Sequence, residues 1–393
     1  MPVYLDHAAT TPLRDASRDA WLATATMLGN ASSVHGAGQE ARRLLEDARE
    51  RVAAVLDCDP IEVVFTSGGT ESVNLALQGL WHARREETDA VVLPDGEHHA
   101  TLDTVEWLHA SHGAVVRPVP LRDPGVIDVA AFRAALPDAA LATALFANNE
   151  IGSVNPVDGL AAAAAEADVP LHVDAVAAVG HLPVRFRTLR GAATGSAGLV
   201  ALSLSGHKFG APVGTGALIV SRYARLDPLL HGGRQQRALR AGTQDVAGAS
   251  ALAVALEEAE GERAAEQVRL AGLAERLRAG IRAAVPEAVF LGAADRLPGN
   301  VHVLFPGAEG ESLLFLLDMA GIRVSTGSAC QAGVAEPSHV VLALGRPERD
   351  ARSVLRMTLG RTSTEEDVDA VVRALPDAFA RAVASGARAG GRS

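Results

Sequence analysis

The chain has 393 residues; at about 150 residues per domain this sets a prior of two or three domains, which excludes a short peptide-binding module. Hydrophobic residues make up 48% and charged residues 21%, far from the composition of disordered chains. A net charge of −11 gathers neither phosphate backbones nor an anionic membrane surface, so binding to nucleic acid or membrane is not expected.

The N-terminus carries an acid at Asp6 and no basic residue before Arg14, which is wrong for a secretory signal. The alanine run from Ala161 to Ala165 is flanked by Asp158 and Glu166, and no stretch of about 18 strongly apolar residues appears, so no membrane span is expected. Two cysteines without a Cys-x-x-Cys pair support neither a disulfide framework nor a zinc ribbon and fit a reducing, cytoplasmic setting.

In chain order, Leu44, Leu45, Ala48, Val52, Val55 and Leu56 place an amphipathic helix over Ala41 to Leu56. Strands are expected at 63–66, 91–93, 114–119, 143–147, 171–173, 199–204 and 216–220, alternating with helical stretches, the pattern of an α/β protein with a mostly parallel sheet covered on both faces. Leu270, Leu273, Leu277, Ile281 and Val285 mark a helix ending before Pro286, with a domain boundary near its start. Beyond it, strand-like pieces at 301–305, 322–325 and 354–358 suggest a smaller α+β domain, and the Gly, Ala, Ser and Arg tail after Ala384 reads as a frayed end.

Several segments carry chemistry. Val63 to Ser72, with Ser67-Gly68-Gly69-Thr70 at its centre, reads as strand, glycine turn and helix start, which aims free N–H groups and a helix dipole at one point suited to a phosphate. An ordinary strand-to-helix turn would read the same way, and the spacing is neither Walker A nor G-x-G-x-x-G. Ser205-Gly206-His207-Lys208 ends a strand with the only lysine of the sequence, all other basic side chains except histidine being arginine. A solvated strand-end lysine is the ordinary reading, but where arginine fills every solvated role a lone lysine points to amine chemistry. Keeping it neutral at pH 7 costs over about 4 kcal/mol unless burial or imine formation intervenes.

Asp174, at the carboxyl end of an inner strand, occupies the edge where open α/β sheets bind ligands; it is either a helix N-cap or the partner of a cation such as a protonated ring nitrogen. His98 lies at the same edge after another strand, where an imidazole can stack on a flat cofactor or shuttle protons. Four histidines between His98 and His112 lack metal-ligand spacing, so no metal site is expected. Cys330 sits in a run of small residues, Ser325 to Gly333, that reads as a loop and favours a reactive thiol over a packed one, whereas Cys58 after Leu56 reads as structural.

Together these segments resemble the cysteine desulfurases, the NifS/IscS-type members of the aminotransferase class V group that use pyridoxal phosphate. The resemblance runs from Tyr4 to about Val371. It is carried by Tyr4 to Pro12, Gly29 to Ser33, Phe65 to Ser72, Glu97-His98, Asn148 to Gly152, His172 to Ala175, Ser205 to Lys208, Arg240 to Thr243, Gly327 to Cys330 and Leu355 to Gly360, in the family's order. It implies a fold-type I architecture, with a large cofactor-binding domain over 12–255 and a small domain from 1–11 plus 256–393 that carries the cysteine loop.

It further implies that Lys208 bonds pyridoxal 5'-phosphate covalently and moves the substrate Cα proton, that Asp174 keeps the ring nitrogen protonated, that His98 stacks on the ring and takes part in proton transfer and that Asn149 bonds the ring hydroxyl and meets the substrate. Gly69, Thr70, Ser205 and His207 would hold the phosphate, with Thr243 reaching in from a second subunit of a homodimer. Arg356 would clamp the carboxylate of L-cysteine, and Cys330 would take its sulfur as a persulfide, leaving alanine, for delivery to an acceptor such as an iron–sulfur scaffold. The segment from Ser328 to Glu336 resembles the longer of the family's two loop lengths. One departure stands out: the family carries a glutamine where this chain has Ala177, so the ring hydroxyl loses one expected partner. His7 is a variant position to which no chemistry is assigned. Another pyridoxal phosphate reaction on the same scaffold, and a cofactor-free sulfur-delivery protein, are the competing readings.

Overall fold

The computed structural model describes residues 2–327 and 336–390, with side chains through residue 385. Seven strands form the main sheet in the spatial order Val63–Thr66, Gly216–Val220, Gly198–Ser205, Pro170–Asp174, Ala139–Leu145, Ala90–Pro94, Val115–Val119. Gly216–Val220 is antiparallel to both its neighbours, and the other pairs are parallel. All eight residues of Gly198–Ser205 and all seven of Ala139–Leu145 are buried. Burial on both faces explains why these strands read as apolar runs rather than alternating ones.

Leu45, Val52 and Leu56 of the helix Gly36–Leu56 pack on one face with Leu160, Leu252 and Leu256. The other face carries Leu77, Leu80 and Trp81 of the helix Gly69–His82 and Val105 and Leu108 of the helix His99–His112. Each of the seven strands lies where the sequence suggests, but one is displaced: the segment expected at 143–147 begins at Ala139 and ends at Leu145. Its first four residues, Ala-Ala-Leu-Ala, lack the β-branched side chains that signal a strand. Asn148 then closes a turn by accepting the N–H groups of Glu150 and Ile151 at 2.9 and 3.0 Å.

The helix expected from about residue 270 begins far earlier, spanning Val246–Ala284, 39 residues and so about 58 Å long. Its first half buries Ala249, Leu252, Ala253, Leu256 and Ala259 in the main core, while its second half buries Leu270, Leu273, Leu277 and Ile281 in a second core. Alanine-rich burial leaves little leucine periodicity to read, which hid the first half. The second core gathers Val301, Val303, Leu355 and Met357 from a three-stranded antiparallel sheet, Val289–Phe290, Asn300–Leu304 and Val354–Thr358. Leu313 and Leu317 of the helix Gly310–Met319 and Val371 and Leu375 of the helix Glu365–Gly390 cover it. The expected frayed tail is therefore helical through Gly390. Val3–Tyr4 pairs in parallel with Ile322–Arg323, which ties the start of the chain into this second core. Among the described residues no helix is long and apolar enough to cross a membrane.

Candidate active site

Parallel strands point their carboxyl ends to one edge, and the loops leaving Thr66, Pro94, Leu145, Asp174 and Ser205 meet there around a cavity of about 520 Å³. Gly69, Thr70, His98, Asn149, Asp174, Ser205, His207, Lys208 and Arg356, all anticipated from the sequence, line it. Thr243 is exposed on a loop and does not line the cavity of its own chain. Cys330 and the segment 328–335 lie outside the described residues.

Lys208 follows the strand Gly198–Ser205 through the short turn Gly206–Lys208. Its Nζ donates to the carbonyls of Ala8 at 2.5 Å and Ala9 at 3.0 Å, so residues from the start of the chain hold the amine. Burial, assisted by the Arg356 guanidinium, pushes the ammonium down to about 8, against the pull of Asp6 and Asp174. Deprotonation at pH 7 then costs about 1.4 kcal/mol rather than about 4.6. The lone lysine thus lies where its amine is easier to deprotonate than in water.

Asp174 is 3% exposed, and its Oδ1 accepts the Val176 N–H at 2.9 Å. Burial raises it to about 6, while that hydrogen bond and Lys208 pull the other way. A buried acid of this kind is stabilised by a cationic partner in the cavity. His98 caps the helix His99–His112 by accepting the Ala100 N–H on Nδ1 at 3.1 Å, and presents its remaining ring surface to the cavity. Burial in the cavity wall and the Lys208 charge push its imidazole down to about 4, so the ring is neutral at pH 7.

In the same cavity wall, Gly68 and Gly69 open the helix Gly69–His82. A Cβ on Gly69 would stand 2.7 Å from Val176 Cγ2 and 3.4 Å from Ser205 Cβ, so a side chain there would crowd the space beside the helix start. The turn is braced by Glu71, which accepts the Ser67 N–H at 2.8 Å and pairs with Arg240 at 2.9 Å. The Thr70 and Ser205 hydroxyls, His207 and the helix N–H groups make this a donor-rich end suited to a phosphate. His207 Nδ1 bonds the Thr10 hydroxyl at 3.2 Å.

Arg356, 6% exposed, donates from Nη1 to the Asn149 carbonyl at 3.0 Å and from Nη2 to Asp6 at 2.9 Å, while its buried Nε has no partner among the described residues. Arg356 lines the cavity, and a planar guanidinium fork suits a carboxylate. Ala177 lines the cavity and offers no hydrogen bond, as the departure from the family pattern requires. Cys58 is 8% exposed and burial pushes its thiol up to about 12, the behaviour of a packing residue. Among the described residues no cluster of metal-ligating side chains exists.

Sequence reading passed over Asp6 and Glu97 as contributors, because each acts through a partner that only folding supplies. Glu97 is 1% exposed; its Oε1 accepts the Leu145 N–H at 2.7 Å and its Oε2 has no partner among the described residues. Burial, with a further push from Asp174, raises it to about 8. Between the ordinary glutamate value and pH 8 the native state holds a proton that the unfolded chain has released, so stability falls as pH rises through that window. Glu97→Gln keeps an acceptor for Leu145 and carries no charge. Thermal melts should show the variant gaining about 2–4 °C at pH 8.5 and nothing at pH 5. A gain that did not grow with pH would contradict the assignment.

The fold and this site together define a fold-type I architecture of the kind used by pyridoxal phosphate-dependent enzymes. The aminotransferase class-V family model matches residues 3–371. The chain is 46% identical over 398 residues to an IscS-like cysteine desulfurase of Mycobacterium tuberculosis, covering 99% of each chain. Among solved structures, a NifS-like protein superposes with TM-score 0.89 at 31% identity, over 97% of this chain and 100% of that one. SspA in complex with cysteine superposes with TM-score 0.76 at 30% identity, over 91% of this chain and 98% of that one. The chain belongs to aminotransferase class V, as a cysteine desulfurase of the NifS/IscS type.

Proposed function

We propose that this enzyme binds pyridoxal 5'-phosphate in the cavity, converts L-cysteine to L-alanine and moves the sulfur through Cys330 to an acceptor. The observation that carries this reading is the placement of the only lysine, partly buried and depressed to about 8, in the same cavity as the buried acid Asp174 and the guanidinium of Arg356. The cavity suits the cofactor: the glycine-opened helix start lines it, and Asp174 supplies a buried acceptor for a protonated ring nitrogen. When bound, pyridoxal phosphate supplies an electron sink conjugated to the substrate Cα.

Gly69, Thr70, Ser205 and His207 would hold the phosphate and Asp174 the ring nitrogen, with neutral His98 in the same cavity wall to stack on the ring. Asn149 serves the ring hydroxyl and the substrate, without help from Ala177. Arg356 orients the L-cysteine carboxylate, and Lys208 takes and returns the Cα proton. Attack by the Cys330 thiolate on the substrate sulfur forms an S–S bond and breaks the Cβ–S bond. The electron pair of that bond stays with carbon, where a proton completes alanine. Exposure of Thr243 away from its own cavity supports a homodimer in which it reaches the phosphate of a second copy. The persulfide then passes to a sulfur acceptor such as an iron–sulfur scaffold protein.

Cys330→Ser tests this. Alanine formation from L-cysteine should fall at least about 100-fold, while the absorption change on adding L-cysteine persists. Unchanged alanine formation would sink the persulfide route and favour another pyridoxal phosphate lyase or transaminase reaction at the same site.

A further inference from the structure

His7, Ala8 and Ala9 line the cavity, and the segment 6–11 that holds them is tied to the rest of the site at four places. Asp6 pairs with Arg356 at 2.9 Å, and the Ala8 N–H donates to the Thr358 hydroxyl at 2.9 Å. The Thr10 hydroxyl bonds His207 Nδ1 at 3.2 Å, and the Thr11 N–H donates to the His207 carbonyl at 3.2 Å. Between these ties the carbonyls of Ala8 and Ala9 accept from Lys208 Nζ at 2.5 and 3.0 Å. A carbonyl can only accept, so this pair favours the charged amine over the neutral one.

The His7 side chain locks this segment from within. Its ring is 6% exposed; Nδ1 bonds the Thr11 hydroxyl at 2.8 Å, four residues on, and Nε2 meets the Ser363 hydroxyl at 3.4 Å, beyond the strand Val354–Thr358. Its backbone N–H donates to the Thr358 carbonyl at 3.3 Å. Burial, with a further push from His181 and Arg361, lowers the imidazole to about 4, so at pH 7 the ring is neutral and has one donor and one acceptor. Two hydroxyls, each able to give or accept, match that pair. His7 therefore stands between Asp6, which holds Arg356, and the two carbonyls that hold Lys208.

We propose that the Ala8 and Ala9 carbonyls are the resting place of the protonated Lys208 amine, before cofactor capture and again once the amine has taken the substrate Cα proton, and that His7 is the positioning residue that sets them there. This rests on the reading that Lys208 bonds the cofactor and moves that proton. Other groups also bear on the amine: Arg356 opposes its charge, Asp6 and Asp174 favour it, and His98, His181 and His207 adjoin it as rings that burial pushes towards the neutral form. His7→Phe keeps all of these and the ring volume, and removes both hydroxyl contacts.

The test follows the rate at which the full-length, cofactor-free chain captures pyridoxal phosphate across the pH range, read by absorption and compared with wild type at each pH. Loss of two acceptors for the ammonium should lower the midpoint of the His7→Phe profile by about one pH unit, so capture at pH 7 becomes about fivefold faster while capture at pH 10 is unchanged. Damage to pocket shape alone would slow capture at every pH. In the holoenzyme at pH 9, where the free amine predominates in both proteins, exchange of the L-alanine Cα hydrogen with solvent deuterium should slow at least about threefold, because the amine has become a weaker base. His7→Asn places an amide where Nδ1 stood, keeps the Thr11 contact, and should return both readouts to within about twofold of wild type. Thr11→Val should reproduce the midpoint shift, and combining it with His7→Phe should add little further. If His7→Phe does not fold, Thr11→Val decides alone. An unchanged midpoint, or capture slowed equally at all pH values, would overturn the inference. Cofactor trapped by borohydride on a wild-type side chain other than Lys208 would overturn the underlying reading instead.

Discussion

Lys208→Ala should leave a folded protein that no longer captures pyridoxal phosphate covalently, and desulfuration should fall by about 10⁴-fold or more, equivalent to about 5.5 kcal/mol of barrier. No second lysine exists in the chain to substitute for it. Arginine neighbours cannot help, since a guanidinium does not give up its proton near neutral pH. Borohydride reduction followed by peptide mapping should find the cofactor mass on the peptide containing Lys208 in the wild type and nowhere in the variant. The pH dependence of capture in the wild type should follow an amine titrating near 8, well below an ordinary lysine, because burial and Arg356 both oppose its protonation. Cofactor trapped on any other side chain would remove the basis of the proposed chemistry.

Asp174→Asn should have the next largest effect. The substitution keeps the shape and an oxygen acceptor for the Val176 N–H but removes the charge that holds a ring nitrogen protonated. Removal of the substrate Cα proton should slow by about 10³-fold, near 4 kcal/mol. Capture on Lys208 should survive, so borohydride labelling separates this loss from a failure to bind cofactor. Because burial raises the acid to about 6, replacing it with a neutral amide relieves a desolvation cost, and the variant should melt no lower than wild type without cofactor. A variant retaining wild-type rates of Cα exchange with solvent deuterium would show that Asp174 does not tune the ring.

Much of this layout was readable before folding, for reasons particular to each element. Val63–Thr66 and Gly216–Val220 fall where the β-branched and apolar runs put them. Ala139–Leu145 begins four residues earlier than expected, and the first half of Val246–Ala284 was missed, because alanine buried against a close neighbour leaves no periodic signal. Among site residues, those at strand ends were legible because the chain announces them with glycine and small polar residues. Glu97 and Asp6 were not, since a lone carboxylate in a loop looks the same whether it is solvated or buried against a partner.

The sequence by itself determined which chemistry was available: a solitary amine, an acid closing an inner strand, a donor-rich turn before a helix, an arginine and a thiol, in an order that carries the family resemblance. Tertiary structure alone decided what those groups become. Arg356 meets Asp6 across 350 residues of chain, and Ser338 meets Glu150 across 188. Such pairings leave no local trace, because they depend on where two cores come to rest against each other. The low ammonium of Lys208 and the raised acid of Asp174 likewise arise from burial, a property that no residue has until the chain around it has closed.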